Sequence, residues 1–116
     1  MCRLRADGYE TIGVDIAAHS TADEHLVVDC AAADVVGLAA YVGDRHLAGL
    51  VNCAGDAFHG SIVDTSREVW DRTLAINLRS VFLITRALFS SLSSTSGSII
   101  NVASVDAEAT SEGLAA

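Results

Sequence analysis

Apolar and polar positions change period several times along this chain, and each change marks an element. The run Leu47-Ala48-Gly49-Leu50-Val51 has no polar side chain and breaks into Asn52-Cys53-Ala54-Gly55. Unbroken apolar runs of this length predict a strand covered on both faces, as in a parallel sheet. The small residues after it leave room for something flat to approach the backbone. In open α/β sheets, ligands sit at the carboxyl ends of such strands.

Upstream, Met1 to Asp7 reads as the last turns of a helix with Gly8 as its C-cap. Glu10 to Ile16 predicts a short strand carrying Asp15 at its end, followed by a polar connection from Ala17 to Glu24. His25 to Cys30 predicts a second strand, with Asp29 at its end. Ala31 to Gly43 is an alanine-rich amphipathic helix with Val35, Val36, Leu38 and Val42 as its apolar positions.

Downstream, Thr65-Ser66-Arg67-Glu68 has capping-box spacing. Trp70, Leu74, Leu78, Val81, Phe82, Leu88 and Leu92 then recur at helical spacing, which predicts a long helix to about Leu92. The Ser-rich stretch Ser90 to Ser98 predicts a loop. Ser98 to Ala103 is a fourth strand, and Ser104 to Ala116 has no clear period. Strands alternating with helices predict an α/β fold with parallel strands. No repeat or internal boundary divides the chain, so residues 1–116 are expected to form a single domain.

Composition narrows the function classes. The chain has 116 residues, 51% hydrophobic and 19% charged, which is globular rather than disordered. Its net charge of −8 argues against nucleic acid or an anionic membrane as partner. No uninterrupted apolar run approaches a membrane span, and Met1 to Ala6 has no apolar core behind it, so a cytoplasmic location is expected. Cys2, Cys30 and Cys53 lack disulfide or metal-knuckle spacing, and the four histidines form no His-x-x-x-His pair. All 7 basic residues are arginine, and the chain has no proline. Without a lysine, a receiver-type phosphoacceptor domain is a poor match to the strand-end aspartates.

Taken together, the segments resemble the short-chain dehydrogenase/reductase family. Asn52-Cys53-Ala54-Gly55 resembles its Asn-Asn-Ala-Gly turn, with Cys53 in place of the second Asn. Asn77, in Trp70 to Asn77, falls where the family's catalytic asparagine sits in the long helix. Gly97 to Ser104 is similar to the strand that delivers the catalytic serine. The family's first strand and glycine-rich phosphate loop would precede Met1, and its Tyr-x-x-x-Lys would follow just past Ala116. Tyr9 and Tyr41 lie far upstream and cannot take that place. The chain is therefore expected to be an internal fragment with a partial Rossmann fold whose central first strand is missing. Because strand 1 lies between strands 2 and 4 in the order 3-2-1-4-5-6, either those neighbours pair directly or the sheet splits.

The resemblance implies a chemistry for each landmark. Asp15 would accept the adenosine ribose hydroxyls and repel a 2′-phosphate, which favours NAD over NADP. Asp29 would accept from the adenine amino group or, alternatively, cap the next helix. Asn52, Ala54 and Gly55 would pass beside the cofactor ribose, whereas Cys53 is expected to pack. Ser104 would donate to the substrate oxygen as charge develops there, and Asn77 would hold a water of the proton relay. The implied reaction is hydride transfer between NAD(H) and a secondary alcohol or ketone in a homo-oligomeric full-length parent. The isolated chain is expected to be inactive. The competing expectation is a non-catalytic fragment that binds nucleotide weakly or associates with a full-length subunit.

Overall fold

The computed structural model describes residues 2–32, 35–109, 113 and 114. Contacts divide the chain into two compact units, Met1–Cys30 and Ala31–Ala116.

The first unit opens with helix α1, Cys2–Ala6. Gly8 takes a left-handed φ of 86°. The Tyr9 amide donates to the Leu4 carbonyl and the Gly8 amide to the Arg5 carbonyl, both at 3.0 Å, the two bonds of a Schellman ending. The expected glycine stop is therefore present. Strands β1, Ile12–Asp15, and β2, Glu24–Val27, pair in parallel, with Ile12 opposite Glu24 and Asp15 opposite Val27.

Parallel strands usually need a helical crossover. Residues 16–23 make the connection without one, as the polar spacing there predicts. The turn is locked by Asp23, whose Oδ2 accepts from the Thr11 amide at 2.8 Å and the Thr11 hydroxyl at 2.7 Å. Arg5 Nε reaches Asp23 Oδ1 at 2.6 Å. The Thr11 hydrogen bonds, with Arg5 adding its charge, hold the Asp23 carboxyl below the usual carboxylate range.

Strand β2 ends at Val27, earlier than its apolar pattern suggests, so Asp29 lies beyond the strand rather than at its end. The last ladder bond runs from the Val28 amide to the Asp15 carbonyl at 2.9 Å, and β1 gives no further partner past Asp15.

In the second unit, α2 spans Val36–Val42, shorter than the predicted Ala31–Gly43. Ala33 and Asp34 lie outside the described residues. Val35 stands at the N-cap and offers no side-chain oxygen, and its carbonyl accepts from the Leu38 and Ala39 amides. Asp29 is not at the cap position, which rules out its alternative role.

A continuous helix runs over Arg67–Ser93 in three parts: α3, Arg67–Leu74; a π turn, Ala75–Arg79; and α4, Ser80–Ser93. Its cap is Ser66, which accepts from the Val69 amide at 3.3 Å. Thr65 instead donates to the Ser61 carbonyl at 2.8 Å, so the cap lies one residue later than the capping-box spacing suggests. The helix also continues to Ser93, through part of the stretch expected to be a loop. Burial of Leu88 and Leu92 holds its last turns, and serine is a tolerable helix residue where packing decides. By length and composition this helix is apolar enough to cross a membrane, a test that core helices of soluble proteins also pass.

Leu38 and Val42 of α2 are buried, as are Ile84, Leu88 and Leu92 of α4, with Ala31, Ala75 and Ile76 clustered at the π turn. Strands β3, Gly49–Asn52, and β4, Ser98–Asn101, pair in parallel, Gly49 opposite Ser98 and Asn52 opposite Asn101. Among the described residues there are two sheets of two strands, so of the two expected outcomes the sheet is split.

Candidate active site

Five sequence-predicted residues lie in the second unit: Asn52 at the end of β3, Ala54 and Gly55 in the turn after it, Asn77 in the long helix and Ser104 after β4. Asn52 is only 8% exposed, and its side chain points at its register partner. Its Nδ2 donates to Asn101 Oδ1 at 2.8 Å and also reaches Thr85 Oγ1 on α4 at 3.4 Å. With the side chain committed inward, what this stretch offers outward is the exposed turn Cys53-Ala54-Gly55.

Asn77 sits in the π turn. Such a turn adds one residue to the helical count and is often found at functional sites. The Ser80 hydroxyl donates to the Ile76 carbonyl, supplying a partner inside the widened turn. Asn77 grips the loop after β3 by both backbone groups of one residue, Asp56. Its Nδ2 donates to the Asp56 carbonyl at 2.8 Å, and its Oδ1 accepts from the Asp56 amide at 3.0 Å. Asn77 is exposed, so these bonds hold the loop rather than offset a buried polar group. The approach also accounts for Gly55, where an added Cβ would lie 2.9 Å from Asn77 Oδ1.

Ser104 follows β4 by three residues and is exposed. Its hydroxyl donates to Asp106 Oδ2 at 2.9 Å and accepts from the Asp106 amide at 3.2 Å, opening a short 3-10 turn, Val105–Ala107. The Ser104 proton is thus held by a carboxylate two residues on. Further along, the Gly60 amide donates to the Gly113 carbonyl at 2.7 Å, so the segment after Ser104 returns to the loop after β3.

Asp15 and Asp29 belong to the first unit. Asp15 is exposed at the carboxyl end of β1, and its Oδ1 accepts from the Ala17 amide at 2.9 Å. Burial, then the charges of Asp29 and Asp15, push the Cys30 thiol up. Both carboxylates therefore lie near one thiol just past the strand ends. Tyr41 sits on α2 with the Arg45 guanidinium 4.9 Å from its ring centroid.

The sequence reading missed Asn101, Thr85 and Asp106. A signal for Asn101 was present: Leu50-Val51-Asn52 and Ile99-Ile100-Asn101 end two apolar strands in the same residue. Nothing in the local pattern marked Thr85.

Known proteins share the sequence and fold of this chain. The family model described as enoyl-(acyl carrier protein) reductase matches residues 9–116. The chain is 42% identical over 80 residues to dehydrogenase/reductase SDR family member 6 of Danio rerio, covering 68% of this chain and 32% of that protein. It is 47% identical over 57 residues to cyclopentanol dehydrogenase of Comamonas testosteroni, 48% of this chain and 23% of that protein. Against carbonyl reductase [NADPH] 2 of Sus scrofa it is 42% identical over 69 residues, 58% of this chain and 28% of that one. The matches thus span about a third or less of these relatives' length.

The chain belongs to the short-chain dehydrogenase/reductase family. Its fold also matches a 4-hydroxyisoleucine dehydrogenase solved with NADH and succinate, at TM-score 0.85 and 18% identity, covering 98% of this chain and 56% of that one. The Thermoplasma acidophilum aldohexose dehydrogenase gives TM-score 0.84 at 24% identity, covering 97% and 46%. These similarities bear out the α/β, partial Rossmann architecture.

Proposed function

We propose that this chain carries the cofactor- and substrate-positioning part of a hydride-transfer site, acting between NAD(H) and a secondary alcohol or ketone in a full-length parent. The observation that carries the reading is the Asn77 clamp on Asp56. It joins the helix asparagine to the Asn-Cys-Ala-Gly turn at the end of β3. When bound, NAD(H) supplies or takes the hydride.

The chain's own residues do the rest. Asp15 binds the adenosine ribose hydroxyls, which favours NAD over NADP although one relative's name specifies NADPH. Asp29 accepts from the adenine amino group. Asn52 holds the turn from within, and Ala54 and Gly55 present backbone to the cofactor ribose. Ser104 turns its proton from Asp106 to the substrate oxygen, where negative charge develops. Asn77 holds the loop and the relay water. The 116 residues contain no lysine, and their two tyrosines are Tyr9 and Tyr41. The chain by itself is accordingly inactive, because the group that exchanges the alcohol proton is not among its residues. The parent works in the cytoplasm as a homo-oligomer, without nucleic acid or membrane.

A second reading, a non-catalytic fragment that binds nucleotide weakly or associates with a full-length subunit, is favoured by the exposed apolar faces of β3 and β4, where Val51 and Ile100 are each 55% exposed. Titrating the chain with NADH by nicotinamide fluorescence tests the first reading. Saturable binding that NADPH does not match is expected. Equal affinity for both cofactors would overturn the role of Asp15, and no binding of either would overturn the first reading.

A further inference from the structure

Asn52 and Asn101 are register partners, each the last residue of its strand. Their side chains meet on one face as a two-rung carboxamide ladder. Asn52 is buried, at 8% exposure. The partners of its Nδ2 are Asn101 Oδ1 and Thr85 Oγ1. One bond beyond, the Val102 amide donates to the Asn52 carbonyl at 2.9 Å. There the two strands part, one into Cys53-Ala54-Gly55 and the other into Ala103-Ser104. The first branch is tied again at Asp56 by Asn77, and the second at Asp106 by the Ser104 hydroxyl. The carboxamide pair therefore sits at the fork from which both branches of the site hang.

We propose that Asn101 is a positioning residue. By accepting the Asn52 amide proton it fixes the separation between the turn Cys53–Gly55 and Ser104. The inference rests on the site reading given above, and touches neither cofactor nor substrate. Thr85 is the third point of the tie and fixes the fork against α4.

The test compares Asn101→Leu with Asn101→Asp in the full 116-residue chain by amide NMR. Asn101 is exposed, so a carboxylate is tolerated there and still accepts from Asn52. In N101L the backbone amides of both Cys53–Gly55 and Ser104 are expected to shift, and the Asn52 side-chain amide protons to lose their protection. N101D is expected to keep all of these near wild type. Shifts in N101L confined to residues 100–102, or equal effects in both variants, would overturn the proposal. Should N101L fail to fold, Thr85→Val decides: shifts at the Asn52 side chain and Cys53–Gly55 support the tie, and unchanged signals reject it. NADH titration separates this from the functional reading. A wild-type chain that binds no NADH removes that reading, while the amide shifts still decide the role of Asn101. If NADH binds, N101L should weaken it about tenfold and N101D should not.

Discussion

Asn77 and Asp56 face each other through a doubled hydrogen bond, 2.8 Å from the side-chain amide to the Asp56 carbonyl and 3.0 Å from the Asp56 amide back to the side chain. One carboxamide thus takes the place of a peptide strand for a single residue. The π turn gives Asn77 its position, and Gly55 gives it room.

This geometry predicts coupling. Each such bond has a net worth of about 1 kcal/mol. Both ends are exposed, so water recovers part of it, and Asn77→Ala should cost about 1 kcal/mol in denaturant unfolding. Gly55→Ala should cost a similar amount, because its Cβ meets Asn77 Oδ1 at 2.9 Å. In the Asn77→Ala background that clash is gone, so the double variant should be no worse than Asn77→Ala alone. Additive losses would mean that the clamp is not the reason for glycine there.

Acid should release the first unit at the Thr11–Asp23 lock. Asp23 has its folded carboxyl held below the ordinary value of 3.8, first by the Thr11 hydroxyl and amide. A depressed carboxylate contributes its full stability above the unfolded value and loses it as pH falls from there through the folded one. Hydrogen exchange at the Thr11 and Asp23 amides should therefore stay slow down to about pH 4 and lose protection below it, relative to intrinsic rates. Thr11→Val should weaken that pH dependence without abolishing it, because it removes the hydroxyl but keeps the residue 11 amide and Arg5 as partners of Asp23. Protection unchanged to about pH 2 would contradict the lock.

Thiol chemistry offers a probe of the turn. Cys53 is exposed and Cys30 is buried, with its thiol pushed up by burial and by Asp29 and Asp15. In a Cys2→Ser background, iodoacetamide at about pH 8 should modify Cys53 well before Cys30. If the turn passes beside the nicotinamide nucleotide, saturating NADH should slow modification of Cys53 several-fold. An unchanged rate under saturation would place the cofactor away from the turn.

Much of this molecule was legible because its signals are local. Gly8 ends α1 through a left-handed φ that glycine alone adopts cheaply, and the apolar run at Leu50-Val51 lies on a parallel strand. The long helix followed from the spacing of Trp70 to Leu92. Its π turn did not, since the apolar spacing there fits an ordinary helix, and the extra residue is fixed by tertiary partners of Asn77 and Ser80. Ser66 rather than Thr65 caps the helix because Thr65 is taken by Ser61 in the preceding turn. The late start of α2 was hidden for a related reason. Alanine favours helix everywhere from Ala31 to Ala40, and propensity alone sets no boundary. Asn101 went unread because strand register is a long-range property.

Self-association should follow from the long helix. Leu78 is 66% and Phe82 60% exposed, and Trp70 and Leu74 lie on the same stretch with much of their surface open. Contiguous apolar surface of this kind is rare on a lone monomer and marks a contact face. Arg72, Arg79 and Asp71 border it, so its rim carries both signs of charge. Leu78→Glu with Phe82→Glu would bury two carboxylates in any such contact, which is unfavourable without partners. Light scattering after size exclusion at about 100 µM should find the native chain associated and the double variant monomeric, with unchanged helical circular dichroism. Neither position is buried, so the folded unit should keep its stability. A native chain that stays monomeric at that concentration would remove this face as a point of self-association.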